Sequence, residues 1–123
     1  MMTIDERRAQ IESYLGKTVR IGIDRPIGYV HHKKDYSLTY EINYGYIPGV
    51  LGGDGEELDV YLLGVDTPVE EYECEIIGAV YRDDDEEDKL VGAPIGARYT
   101  ADEVWEKVRF QEQYHISHVR VIE

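Results

Sequence analysis

Positive charge, cysteine and long apolar runs are all scarce in this sequence. Lys and Arg number 13 against 26 Asp and Glu, a formal net charge of −13, and no basic stripe could follow a phosphate backbone. Nucleic acid is therefore not an expected partner. Cys74 is the only cysteine, so no disulfide can form within the chain, which suits a reducing compartment, and the cytoplasm is the expected location. Apolar residues make up 42%, yet no run approaches the roughly 18 residues of a membrane span. The opening "MMTIDERRAQIESYLG" is acidic and amphipathic, without the basic start and apolar centre of a secretion signal. No membrane partner is expected. A Gly-x-x-x-x-Gly-Lys loop is absent, which excludes a nucleotide hydrolase of that type. One cysteine and four scattered histidines serve zinc poorly.

At 123 residues the length fits one domain spanning 1–123, large enough for a core without staples. Thr3 to Glu6 reads as a capping box opening a helix, with Ile4, Ile11, Tyr14 and Leu15 for one face and Gly16 as the stop. From Lys17 the period becomes two, Val19, Ile21 and Ile23 alternating with polar residues until "DRPIG". Short segments at Leu38 to Ile42, Leu58 to Leu63, Glu73 to Tyr81 and Lys89 to Ala93 follow, parted by Gly, Pro or acidic turns. They read as an antiparallel meander. A second capping box, Thr100 to Glu103, opens a helix with Ala101, Val104, Trp105 and Val108 on one face, and "SHVRVI" resumes alternation. The spacing fits a small, mainly β (α+β) domain with two helices, closed or nearly closed into a barrel.

What is abundant is clustered carboxylate. "GGDGEELDVYLL" places Asp54, Glu56, Glu57 and Asp59 just ahead of an apolar strand, and Asp83 to Asp88 are six consecutive acids before Lys89. A charge run usually faces water. Two such turns at one end of a sheet would bring like charges together, however, and oxygen clusters of that kind bind hard cations such as Mg²⁺. The loop glycine and terminal Glu spacing of an EF-hand are missing. Tyr40, Tyr44, Tyr46, Lys89, Tyr114 and His115 could donate to phosphoryl oxygens beside such a metal. Eleven tyrosines are present, and most should simply pack at strand edges. His31, His32, Lys33 and Lys34 form the one basic cluster, read as a solvated loop.

"YEINYGYIPGVLGGDGEELDVYLLG" and "IIGAVYRDDDEEDKLVGAP", roughly Tyr40 to Pro94, resemble the soluble type I inorganic pyrophosphatases. The chain looks like a short, divergent member, and the resemblance implies the family fold, a small five-stranded OB-like closed barrel with two flanking helices. The resemblance implies Mg²⁺-dependent hydrolysis of pyrophosphate to two phosphates. It maps the family's Asp-x-Asp-x-x-Asp metal segment onto Asp54, Glu56 and Asp59, its later acids onto Asp84 and then Glu87 or Asp88, and its lysine onto Lys89. Tyr44 matches the Asn-Tyr-Gly-Tyr context, and Tyr114 with His115 matches a Tyr-Lys pair. The implied roles are metal ligation by Asp54, Asp59, Asp84, Glu87 and Asp88, proton acceptance by Glu56, and charge neutralisation by Lys89, Tyr44, Tyr114 and His115. Three positions depart from the pattern: Glu56 replaces an Asp, His115 a Lys, and the second loop acid is Glu87 or the out-of-register Asp88. Arg25, Lys33 and Lys34 stand near the family's N-terminal basic positions without a residue-by-residue match. Three alternatives stay open at this level: a metal and phosphate binding module without turnover, a hydrolase of another phosphoanhydride, and an acidic domain docking a basic partner through Asp83 to Asp88. A homo-oligomer is neither required nor excluded.

Overall fold

The computed structural model describes residues 2–123. Both capping boxes form. Thr3 opens α1 (Ile4–Tyr14) and Thr100 opens α2 (Ala101–Glu112), each hydroxyl accepting from the backbone of the Glu three residues on, which returns a carboxylate to the cap N–H. Between and after them run β1 (Thr18–Arg25), β2 (Val30–His32), β3 (Ser37–Thr39), β4 (Asn43–Leu51), β5 (Glu57–Leu62), β6 (Glu71–Arg82), β7 (Lys89–Ala93) and β8 (Ser117–Val121).

The strands β1-β4-β5-β7-β6 form a sheet that closes on itself through β1–β6 pairing. This is the five-stranded barrel with two helices that the resemblance implied, but it is not the meander read from periodicity. β5 and β7 are parallel, Val60 opposite Leu90, because the chain leaves β5 to form β6 before β7 inserts between them. β6 is long enough to do two jobs on one edge: Glu71 to Glu75 closes the barrel on β1, and Gly78 to Arg82 carries β8. The expected strand at Leu38 to Ile42 is also revised. Only Ser37–Thr39 is strand, pairing with β2 in a separate hairpin, whereas the "NYGYIPGVL" stretch is the barrel strand β4. Its Gly and Pro read as turn signals, and Pro48 indeed sits where the β4–β5 register shifts between Tyr46 and Leu51. Gly45 is needed for closure: a Cβ there would lie 1.8 Å from the Gly22 carbonyl oxygen on β1.

Alternation sorts the strand side chains into two cores. One cluster, including Ile21, Ile47, Val60, Leu62, Cys74, Ile76 and Leu90, draws on all five barrel strands and takes Ile11 from α1. The other sets Tyr44, Tyr61, Ile77, Val80 and Val91 against Val104, Val108 and Phe110 of α2. The two helices thus seal different faces, and α2 ends beside the barrel mouth with Gln111 and Glu112 buried. Among the described residues, no helix is long and apolar enough to cross a membrane.

Candidate functional site

The two acidic turns do meet. Gly53 lies so close to the Glu86 carbonyl that a Cβ would approach it to 2.4 Å. The first turn is tight: Gly52 N–H donates to the Glu56 carbonyl at 2.7 Å, Glu56 N–H donates to Asp54 Oδ1 at 3.0 Å, and Gly55 takes a φ of +83°. Asp54 and Glu56 therefore belong to a turn, with β5 starting only at Glu57. Asp59 is brought to the same place by its register, opposite Tyr46 on β4 and one residue before the Val60–Leu90 pair.

These groups line a cavity of about 620 Å³ that also takes Tyr44, Glu87, Lys89, Tyr114 and His115 in its walls. Lys89 is its hub. The ammonium, in a residue 2% exposed, donates to Tyr44 Oη, Asp59 Oδ2 and Glu87 Oε1, each at 2.6 Å. All three of its protons are spent. Burial, followed by the Asp59 charge, holds the Tyr44 phenol well above its ordinary range, so it stays a neutral donor. Tyr114 is exposed at the rim, its ring 5.1 Å from Tyr36. His115 places Nδ1 3.4 Å from Asp84.

Glu87 and Asp54 form a carboxyl–carboxyl contact. Burial is the first cause pushing the Glu87 acid up to about 7, with the hydrogen bond to Asp54 adding to it against Lys89. Asp54 is lowered: burial opposes this, but the bond from Glu87 and the Glu56 N–H outweigh it. The protonated Glu87 acid is thus favoured beside the Asp54 carboxylate, and a divalent cation is the other species that could stand between such oxygens. Among the described residues no three His, Cys, Asp or Glu side chains already form a coordination set. Lys89 holds Asp59 and Glu87 instead. An all-oxygen donor set facing one cavity, with two carboxyls in contact, fits a hard divalent cation.

The Glu87 proton has a measurable consequence. A carboxyl raised on folding contributes stability below its unfolded value of 4.5 and loses it as pH rises through about 7. With chelator present, unfolding free energy should fall by about 2 kcal/mol between about pH 5.5 and 8, and Glu87→Gln should flatten that slope in denaturant titrations.

The second acidic turn is otherwise neutralised from within. Asp88, expected as a metal ligand, faces away from the cavity: it is 3% exposed, and its carboxylate accepts from Arg7 Nε at 3.0 Å, Arg8 Nε at 2.9 Å and the Arg82 backbone N–H at 2.9 Å. Of the two alternatives for the second loop acid, Glu87 lines the cavity and Asp88 does not. Asp84 likewise does not line the cavity. Asp83 meets Arg8 and His118, and Asp85 meets Arg82. A loop so engaged offers few free charges to a basic partner. Asp88→Asn should accordingly act on stability, leaving two buried or half-buried guanidiniums under-compensated at a cost of about 3 kcal/mol. Chemical denaturation checks this, and unchanged stability would return Asp88 to the ligand candidates.

Sequence reading missed Arg82, Gln111 and Glu112. Arg82 ends β6 at 3% exposure and gives Nε and Nη2 to Glu112 at 3.1 and 2.7 Å. Burial works against the charge of each, and the pairing outweighs it in both, keeping Arg82 cationic and lowering Glu112. Tyr61 donates to Glu112, Gln111 to Tyr61, Tyr40 to Gln111, and Arg25 to Tyr40, so an unbroken chain links two arginines in the cavity walls. The signal was present: Gln111 continues the Val104, Val108 spacing, a polar residue where an apolar one was due. Of the basic residues near the N-terminus, Arg25 and Lys33 reach the cavity and Lys34 does not.

The molecule is a closed OB-like barrel with carboxylates, tyrosines and a buried lysine around one cavity. Sequence comparison makes this specific: the family model described as inorganic pyrophosphatase matches residues 9–118, and the chain belongs to that family. An inorganic pyrophosphatase of Saccharolobus solfataricus is 35% identical over 96 residues, 73% of this chain. The chain spans 56% of the length of that relative. Crystal structures of inorganic pyrophosphatases share the fold: that from Ehrlichia chaffeensis superimposes with a TM-score of 0.66 at 17% identity, covering 88% of each chain. The enzyme from Coxiella burnetii gives 0.61 at 18% identity, over 89% of this chain and 87% of that one.

Proposed function

We propose that the chain hydrolyses inorganic pyrophosphate to two phosphates with Mg²⁺ as cofactor, in the cytoplasm. The observation that carries this reading is the Lys89 hub, with Tyr44, Asp59 and Glu87 each 2.6 Å from one ammonium, set against the Asp54–Glu56 turn in a single cavity. Family membership and the curated relative's name support it.

Asp54, Asp59 and Glu87 would hold the cation, with Glu56 beside them. When bound, Mg²⁺ supplies charge neutralisation for the phosphoryl oxygens and a more acidic water. A cavity so rich in carboxylate repels a polyanion, so the chain's cations decide where the substrate lies. Lys89 is a compact charge on a flexible stem, and its three donors can turn from Asp59 and Glu87 to phosphoryl oxygens as those carboxylates are taken up. Tyr44 donates its hydroxyl proton beside it, and Tyr114 and His115 close the far rim. Glu56, exposed and with no side-chain hydrogen bond among the described residues, is free to accept a proton from the attacking water. Cys74 has no part in this chemistry: it is fully buried, and burial pushes its thiol up to about 12.

Phosphate release from pyrophosphate, with Mg²⁺ titrated and then chelated, tests the reading. Release above the buffer rate that chelator removes is the expected result. Ligand binding without release would leave a binding module, and release from other phosphoanhydrides alone would reassign the substrate.

A further inference from the structure

Lys89 and Arg82 are both buried cations of the cavity, but their attachments differ. The ammonium of Lys89 bonds only to groups that face the cavity. The guanidinium of Arg82 is gripped from behind, where Glu112, 0% exposed, takes two of its nitrogens and is itself fixed by the Tyr61 hydroxyl and by Ser117 Oγ at 3.1 Å. Its remaining nitrogen, Nη1, faces forward and donates to Asp85 Oδ2 at 3.0 Å and Glu87 Oε1 at 3.3 Å. Swinging Arg82 out would strip a buried carboxylate of its counter-ion, so the charge stays whatever enters the cavity. A planar fork held on both edges cannot pivot as an ammonium does.

We propose that Arg82 is a permanent cation of this cavity, positioned by Glu112, and that it confines divalent ions to the wall made by Asp54, Glu56, Asp59 and the edge of Glu87 turned away from Arg82. Asp85, and the edge of Glu87 turned to Arg82, are already compensated, and an added divalent ion there would meet a fixed like charge at contact distance. Arg82 thus does for its wall what an ion would otherwise do. The inference rests on the proposed metal-dependent reading of the same cavity.

The test counts ions rather than turnover. Mn²⁺ is titrated into the full chain without pyrophosphate, and free Mn²⁺ is read from its electron paramagnetic resonance signal. Arg82→Gln should bind at least one equivalent more than the parent chain, Arg82→Lys should bind as the parent does, and adding Asp85→Asn to Arg82→Gln should remove the gained ion. Should Arg82→Gln alone fail to fold, the double variant Arg82→Gln, Glu112→Gln removes both buried charges and carries the same expectation. An unchanged number and affinity in the neutral variants, or a gain in Arg82→Lys, overturns the proposal while leaving a Mg²⁺-dependent hydrolase intact. No Mn²⁺ bound by the parent chain overturns the metal-dependent reading and this inference with it.

Discussion

Asp59→Asn should lower pyrophosphate turnover by about 10³-fold, roughly 4 kcal/mol of transition-state stabilisation, while barely moving the melting temperature. The two expectations come from one position. In the metal-free protein Asp59 is a counter-ion of Lys89, 2.6 Å away, and its side chain is 23% exposed. Asparagine keeps an oxygen at that place, and Glu87 with Tyr44 continues to hold the ammonium, so the folding cost is about 1 kcal/mol. For a divalent cation the exchange is far worse, because a neutral amide oxygen replaces a charged one in a set that has few uncommitted members. Extra Mg²⁺ should recover part of the loss if Asp59 acts by ligation. Parent-like turnover would show that the cation is held elsewhere in the cavity, and a collapse of stability would make Asp59 a structural partner of Lys89. Phosphate release and thermal unfolding on the same preparation separate these results.

The barrel was legible because its signals are local. Thr-x-x-Glu boxes mark both helices, and period-two alternation marks β1 and β8. Strand order was not, since parallel insertion of β7 between β5 and β6 depends on pairings between residues about thirty apart, Val60 with Leu90, which no local pattern states. β4 was hidden by its own requirements: Gly45 is there for close approach to β1, and the same glycine reads as a turn. Two acidic turns and a lysine pointed to Asp54, Glu56, Asp59, Glu87 and Lys89 in the cavity wall. The separation of Asp88 from the cavity has a plain cause. Six adjacent acids look alike in sequence, and what separates Glu87 from Asp88 is that α1 brings Arg7 and Arg8 against only one of them. Charge compensation by residues some eighty positions away is a property of packing. Arg82 was overlooked for the converse reason, since a lone arginine beside an acidic run reads as a surface counter-ion until Glu112 is seen behind it.

Glu56→Gln should reduce turnover by about 10²- to 10³-fold, the range a positioned general base contributes, with melting temperature and Mn²⁺ binding near those of the parent chain. Asp54 and Glu56 sit in the turn ahead of β5 rather than in the strand itself. The consequence for Glu56 is favourable. Its backbone is pinned, the carbonyl accepting from Gly52 at 2.7 Å and the N–H donating to Asp54 at 3.0 Å, while its exposed carboxylate is tied to nothing and borders the cavity. A fixed base with a free arm can deliver a carboxylate to a water held over Asp54 and Asp59. Glutamine matches its length and loses only the proton acceptor, so a fall confined to kcat isolates that role. Glu56→Asp shortens the arm by about 1 Å, a misplacement that can cost about 100-fold, and should remain measurably active. The competing account makes Glu56 a solvated turn residue whose amide is harmless. Equal phosphate release by Glu56→Gln and the parent chain at saturating Mg²⁺ would decide for it, and the proton acceptor would then have to be sought among Asp54, Asp59 and Glu87.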